Sequence, residues 1–285
     1  MTDAFDPDAG KAKLYLVATP IGNLNEMSPR AIAVLKAVDV IACEDTRTSG
    51  VLLKHFSIQK KRIAYHKFNE EQSAAGILAL LREGKNVALI SDAGYPLIND
   101  PGQLLVSAVV CAGIEVVPIS GPNAAVDALV ASGLTVQPYA FIGFLPQSGT
   151  ERRKKLKEYE SLSMTLIFYE APHRIEKMLT DALHILGDRP CCIGRELTKI
   201  HEEFLRGTIA EVLEAVKGRK GEMVVIIAGA QKKAASPSLA EGLALVQKKI
   251  ASGARMSAAV KEAAAETGIA RNILYDLVQE KRNEA

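Results

Sequence analysis

A chain of 285 residues with 48% hydrophobic and 24% charged content can bury more than one core, and its formal net charge of +2 is too mild to argue for nucleic acid, so any basic surface must be local. The start, MTDAFDPDAGKAK, is polar and acidic rather than signal-like, and no apolar run approaches the roughly 20 residues that a bilayer requires. Cys43, Cys111, Cys191 and Cys192 stand in apolar or strand-like runs without metal-ligand spacing, which predicts reduced buried thiols, no metal site and a cytoplasmic protein. Residues 1–12 read as a disordered tail. Leu14 to Ala18 predicts a strand ending in the turn-rich Thr19 to Leu24, and Ser28 with Pro29 opens a helix through Ala37. Val38 to Cys43 predicts a second strand, followed by Glu44-Asp45-Thr46-Arg47 and a helix with Val51, Leu52, Leu53 and Phe56 on its apolar side. A third strand, Arg62 to Tyr65, leads through His66 to Asn69 into a helix reaching Arg82.

The apolar run Val87 to Ile90 has the composition of a strand buried on both faces of a parallel sheet. It stops at Ser91-Asp92-Ala93-Gly94, and Pro96, Asn99, Asp100, Pro101 and Gly102 follow. Open α/β sheets hold ligands beyond the carboxyl ends of their strands, so this loop is a ligand-site candidate; the alternative is a tight connection with no ligand. Leu104 to Ala112 predicts a helix closed by Gly113, Glu115 to Ile119 a strand, and Ser120 to Ala125 a loop entering another helix. The pattern is doubly wound, and it defines an N-terminal α/β domain over 13–121.

The rhythm restarts near Leu134. Ala140 to Pro146 predicts a strand and its exit loop, Gln147 to Thr150 caps a charged helix beginning at Glu151, and Thr165 to Tyr169 predicts a strand ending in Glu170-Ala171-Pro172-His173-Arg174. Further strands are expected at Pro190 to Gly194, Phe204 to Ile209 and Met223 to Ala228, with a short helix at Ala210 to Lys217. Such close spacing suggests a mixed sheet and a second α/β domain over 122–233, facing the first across a cleft. Ala234 to Ser238 breaks the pattern, and 236–285 reads as three helices, Leu239 to Ala251, Ser257 to Thr267 and Ala270 to Lys281. The last two fit a helix-turn-helix template, with Ala264 at the crossing, Gly268 at the turn and Leu274 closing the core. Arg271, Asn272 and Tyr275 would then face nucleic acid, with Lys281 and Arg282 on phosphates. The alternative is a helical bundle that braces the body, because the segment is almost electrically balanced.

TPIGNL (Thr19 to Leu24), EDTR (Glu44 to Arg47), SDAGYPLINDPG (Ser91 to Gly102), SGPNAA (Ser120 to Ala125), FIGFLP (Phe141 to Pro146) and FYEAPHRI (Phe168 to Ile175) stand in an order seen in one family. From about Lys13 to its C-terminus the chain resembles the bacterial small-subunit ribosomal RNA cytidine 2′-O-methyltransferases of the tetrapyrrole methylase superfamily. The resemblance implies two α/β domains with S-adenosylmethionine (SAM) folded between them, a homodimer, and ribose methylation of a cytidine in the decoding region of small-subunit ribosomal RNA, free or in the assembled subunit. Carried over by position, it implies cofactor contacts at Pro20, Asp92, Ala93, Gly94, Pro96, Ile98, Ser120, Gly121, Asn123 and Ala124, and at Tyr169 and Leu197 in the second domain. The chain departs from the family pattern at Tyr95, where threonine is usual, and at Glu26, where aspartate is usual.

The chain carries neither a P-loop nor GxGxxG, as suits a ligand without pyrophosphate. A ribose hydroxyl is a weak nucleophile, and a positioned base contributes on the order of 10²–10⁴-fold. Asp45, Glu44, His66, Glu70 and Glu170 are the candidates for that role, all after strand ends; Arg47, His173, Arg174 and the run Arg152, Arg153, Lys154 and Lys155 are candidates for RNA phosphates. Each has a plainer alternative: Glu44-Asp45 as a helix N-cap, His66 as a polar corner, His173-Arg174 as a solvated first turn, and the basic run as an exposed helix face. Methylation of a tetrapyrrole or other small molecule on the same fold, a non-catalytic RNA-binding protein and a nicotinamide enzyme of similar topology are the rival functions.

Overall fold

In a computed structural model, which describes residues 11–66, 70–231 and 238–283, the first part of the chain alternates strand and helix. The strands are β1 (Lys13–Val17), β2 (Val40–Cys43), β3 (Lys61–Ala64), β4 (Val87–Ile90) and β5 (Glu115–Ile119), with helices α1 (Pro29–Ala37), α2 (Thr46–His55), α3 (Glu70–Arg82) and α4 (Gln103–Cys111) between them. All pair in parallel in the order β3-β2-β4-β1-β5. The period of two along β4 divides the core: Ala88 and Ile90 meet Val34, Leu35 and Leu53 of α1 and α2, while Val87 and Leu89 meet Ile77, Leu81 and Leu105 of α3 and α4. Both faces are thus covered, and each fully buried aliphatic side chain contributes roughly 1.5–3 kcal/mol of transfer free energy.

The second sheet has the order β6-β7-β10-β8-β9. Its strands are β6 (Tyr139–Phe144), β7 (Thr165–Glu170), β8 (Pro190–Arg195), β9 (Glu203–Thr208) and β10 (Met223–Ile227). The sheet is mixed: β6 and β7 run parallel, and β10 pairs antiparallel with both β7 and β8. Helices α6 (Gly149–Glu158), α7 (Ile175–Leu186) and α8 (Ile209–Ala215) cover one face through Leu156, Met178, Leu179 and Val212. Helix α5 (Ala124–Ala131) follows the last strand of the first sheet, yet Ala125, Ala128 and Leu129 pack on Ile167, Val224 and Ile226 of the second. The loop Ser120 to Asn123 is therefore where the chain passes from one sheet to the other.

Three expectations shift for identifiable reasons. Strand β2 starts at Val40 rather than Val38, because Val38 caps α1 and Asp39 turns to accept a 2.7 Å hydrogen bond from the Asn86 amide. Ile209 begins α8 instead of ending a strand, because Thr208 and Glu211 form a capping box. Cys43, Cys191 and Cys192 are buried, whereas Cys111 is exposed on the outer side of α4.

The chain divides into two compact units, Met1–Ala230 and Gln231–Ala285. In the second, α9 (Leu239–Ala251), α10 (Met256–Thr267) and α11 (Arg271–Asn283) close around Val246, Val260, Ala263, Leu274 and Val278. Gly268 ends α10 in the left-handed region, at φ +70°. Gly242 of α9 leaves room for Ile269 and Leu274, since a Cβ there would stand 2.9 Å from Leu274 Cδ2. Most of the expected tail, the linker from Ala234 to Pro237, the stretch Lys67 to Asn69 and the Arg282 side chain lie outside the described residues. Among those described, no helix is long and apolar enough to cross a membrane and no cluster of ligating side chains could hold a metal ion.

Candidate active site

The loop after β4 is tied to its neighbours at both ends. The amide of Thr19 donates to Gly94 O at 2.9 Å and the amide of Gly94 to Thr19 O at 3.0 Å, while the Ser91 hydroxyl donates to Gly94 O at 2.8 Å. Asp92 Oδ1 accepts the Asp45 amide at 3.4 Å, which joins the loop after β2 to the loop after β4. At the far end Glu70 Oε1 accepts both the Gly102 amide at 2.9 Å and the Tyr65 hydroxyl at 3.1 Å. Tyr95 Oη accepts the Gly121 amide at 3.2 Å and so ties this loop to the passage between sheets. Gly94 adopts φ +78°, and the non-glycine residues Leu97 and Asn99 adopt +72° and +68°. For the two non-glycine residues such a conformation costs roughly 1–2 kcal/mol each and persists where its surroundings over-determine it.

Facing this loop is the carboxyl end of β7 with the turn into α7. Between them lies a cleft of about 390 Å³ whose floor and walls include Ala93, Asp100, Asn123, Tyr169, Glu170 and Leu197. The Tyr169 ring is held edge-on by Phe141 and Phe144, with centroids 5.0 and 5.6 Å away, and burial pushes its hydroxyl up to about 12. Burial and the nearby Glu44 and Asp92 raise the Asp100 carboxyl to about 6. Glu170 is buried, and burial raises its carboxyl against the opposing pull of the Ala171 amide, Arg174, Arg152 and His173. Its Oε1 accepts the Ala171 amide at 2.9 Å, but Oε2 has no partner, and Arg174 Nε, although 3.2 Å from Oε1, lacks hydrogen-bond geometry. A cleft lined by four carboxyl residues, Asp92, Asp100, Glu170 and Glu222, two of them with raised affinity for protons, suits a cationic guest and proton transfer near neutrality.

The model of the tetrapyrrole (corrin/porphyrin) methylases matches residues 13–213. A protein of Halalkalibacterium halodurans named ribosomal RNA small subunit methyltransferase I is 45% identical over 277 residues, covering 95% of this chain and 96% of the relative. Its namesake in Escherichia coli O157:H7 is 44% identical over 282 residues, covering 96% and 97%. The chain belongs to the ribosomal RNA small subunit methyltransferase I family of tetrapyrrole methylases. Solved structures agree in fold: a diphthine synthase superposes with a TM-score of 0.61 at 12% identity, covering 76% of this chain and 90% of that one. The uroporphyrin-III C-methyltransferase of Thermus thermophilus, complexed with S-adenyl homocysteine, gives 0.53 at 19% identity, covering 75% and 97%.

Within this tetrapyrrole methylase, the structure gathers Asp92, Ala93, Gly94, Ile98, Asn123, Ala124, Tyr169 and Leu197 around the cleft. Pro20, Pro96, Ser120 and Gly121 are not among the residues that line it, whereas Ile21, next to Pro20, is. Gly121 acts as a spacer, since a Cβ there would come 2.8 Å from Ala18 Cβ. Asn123 caps α5 by accepting the Ala125 and Val126 amides.

The candidates for a base separate by partner. Asp45 caps α2, and the hydrogen bonds from Arg47 hold its carboxyl at about 2, which makes it a poor base. Glu70 is committed to bracing the loop, and His66 is exposed and outside the cleft lining. Glu170 lies in the cleft, joined by Asp100, a half-buried carboxyl that nothing in a turn-rich NDPG segment signals.

Among the cations, Arg152 is turned inward and tied to Asp181 at 2.7 Å, a correction to its expected role on RNA: the side chain is needed to neutralise a nearly buried carboxylate. Arg153 leans on the same aspartate, and Lys155 pairs with Glu158, which leaves Lys154 as the free member of that quartet among the described residues. Arg174 donates to Leu145 O and Pro146 O and is likewise structural, while His173 is exposed. Arg271, Asn272 and Tyr275 are exposed and, with Asp276, line a shallow depression on α11.

Proposed function

We propose that this chain transfers a methyl group from SAM to the 2′-oxygen of a cytidine ribose in the decoding region of small-subunit ribosomal RNA. The observation that carries this reading is the carboxyl-lined cleft between the loop after β4 and the end of β7, in a chain 44–45% identical along almost its whole length to proteins named as methyltransferases of that RNA. The residues present fit SAM. The volume lies in the range of small-molecule pockets, Gly94 keeps a side chain out of the rim, and acceptors outnumber cations where a sulfonium and an ammonium would sit. Phe144, Tyr169, Ile98 and Leu197 supply an apolar wall for a base.

When bound, SAM supplies an electrophilic methyl group whose sulfur leaves as a neutral thioether. The chain's own part is alignment and proton transfer. Asp100, half-buried with its proton affinity raised toward neutrality, accepts the proton of the attacking hydroxyl, and Tyr169 and Asn123 border the space in which the reacting groups align. Asp92 stays tied to the Asp45 amide and keeps the loop in register. The helical unit at the C-terminus docks RNA through Arg271, Asn272 and Tyr275, with Lys154 and His173 as further phosphate contacts, and two copies of the chain form the working enzyme.

Labelled methyl transfer to small ribosomal subunits from a strain lacking the protein, followed by nucleoside analysis, tests the reaction: label in 2′-O-methylcytidine is expected, and label in a modified base refutes it. RNA with 2′-deoxycytidine at the target accepts no label, since the attacking oxygen is gone. A chain ending at Ala235 keeps its SAM affinity and its dimeric sedimentation but loses apparent affinity for RNA, because residues remote from the reacting atoms contribute binding rather than the displacement. Retention of full RNA affinity in that truncated protein, with a lowered melting temperature, would assign the helices to bracing instead.

A further inference from the structure

From Thr46 to His66 the chain carries five lysines and arginines and no aspartate or glutamate, so the remainder of this +2 protein is net acidic. The structure places this stretch on α2 and the edge strand β3. We propose that the strip formed by Lys54, Lys60, Lys61 and Arg62 binds the phosphate backbone of the RNA substrate, carrying it from the cleft down the edge of the first sheet; the proposal rests on the ribosomal RNA reading above.

Three observations support it. First, none of these four neighbouring cations has a carboxylate partner among the described residues, so the charge of the strip is not neutralised within the fold. Second, Lys54, Lys60 and Arg62 converge with Ser57 and Gln59 on one concavity of about 520 Å³, so cations and neutral donors face a common space. Third, helix α2 has a glycine in its interior, at a cost of about 1 kcal/mol relative to alanine. A Cβ on Gly50 would collide with the Arg62 guanidinium, which lies across the helix there and donates from Nη1 to Thr46 O at 3.1 Å. The helix thus gives up propensity to seat an exposed arginine beside the concavity.

Position favours a strand of nucleic acid. Helix α2 begins beside Asp45, whose amide is bound by Asp92 of the cleft loop, and runs about 15 Å away from it at 1.5 Å per residue. Arg47 stands near the start of that path, and Lys54, Lys60 and Lys61 near its end. Helix-dipole compensation accounts for Lys54 in the last turn, and protection of an edge strand accounts for Lys61. Neither accounts for Lys60 and Arg62 sharing a concavity with Lys54.

The test uses the full chain with Lys54→Gln/Lys60→Gln, and Lys177→Gln/Lys217→Gln, on α7 and in the turn after α8, as a control of equal charge change. Affinity for a small-subunit RNA fragment containing the decoding region is measured across a salt series, with SAM affinity and melting temperature as readouts of an intact fold. We expect RNA affinity at low salt to fall about tenfold or more, and the slope of log K against log salt to shrink by up to about 1.4, at roughly 0.7 per phosphate on single strands. The control pair should change the slope far less. Equal effects from both pairs, or unchanged RNA binding, would overturn the strip. So would altered sedimentation with unaltered RNA affinity, which would make this edge a protein interface. Failure of the unaltered protein to methylate small subunits would instead refute the functional reading.

Discussion

Gly94→Val leaves the first unit folded and weakens SAM binding by about 100-fold or more, equivalent to at least about 2.8 kcal/mol. Gly94 stands at φ +78°, where an L-residue costs roughly 1–2 kcal/mol and a β-branched one more. The backbone has no freedom to relax, because the amide and carbonyl of Gly94 are both bonded to Thr19, and its carbonyl also accepts the Ser91 hydroxyl. A Cβ would meet Ile21 Cγ2 at 3.4 Å, an acceptable distance, so the damage comes from backbone strain and from methyl groups added beside a residue that lines the cleft. Calorimetric titration with SAM checks this, alongside a melting curve. Unchanged affinity in a folded variant removes the loop from the site, and Gly94→Ala should fall between the two.

Asp100→Asn lowers methyl transfer on the order of 10²–10⁴-fold while raising the melting temperature. The ordinary value for this carboxyl is 3.8, and burial with neighbouring Glu44 and Asp92 lifts it to about 6 in the folded protein. Between those values the folded state holds a proton that the unfolded state has released, so stability falls as pH rises through the window and the cost is complete above about pH 6. Asparagine carries no charge to bury and recovers part of that cost at pH 7, the solvent that reaches a half-buried group screening the rest. The same titration sets the activity profile: transfer by the unaltered protein rises with pH through about 6, and the variant loses that limb. Equal rates and equal profiles in the two proteins, with SAM binding intact, would take Asp100 out of the proton transfer. A fall in activity accompanied by a fall in melting temperature would make it a bracing residue.

The order of elements and the loop that matters are legible in the amino-acid sequence. Strands such as Val87 to Ile90 are apolar at every position because both sheet faces are covered, and Ser28-Pro29 and Gly268 mark helix ends through local hydrogen bonding and backbone freedom, which a linear reading detects. The motif order also identified the family, since close backbone approach around the cleft restricts residue choice at Gly94 and Gly121. Which charged groups are available depends on contacts made in the folded chain. Arg152 and Lys154 are near neighbours in one basic run, yet Asp181, 29 residues beyond Arg152, takes the first inward and leaves the second in solvent. Asp45 and Asp100 both follow strand ends, but one is neutralised by the arginine two residues on, while the other is half-buried beside Asp92 of its own loop and Glu44 of the loop after β2. For Arg152 and Asp100 the deciding partners include Asp181 and Glu44, which lie dozens of residues away and meet them only when the chain folds, so spacing in the sequence carries no record of them.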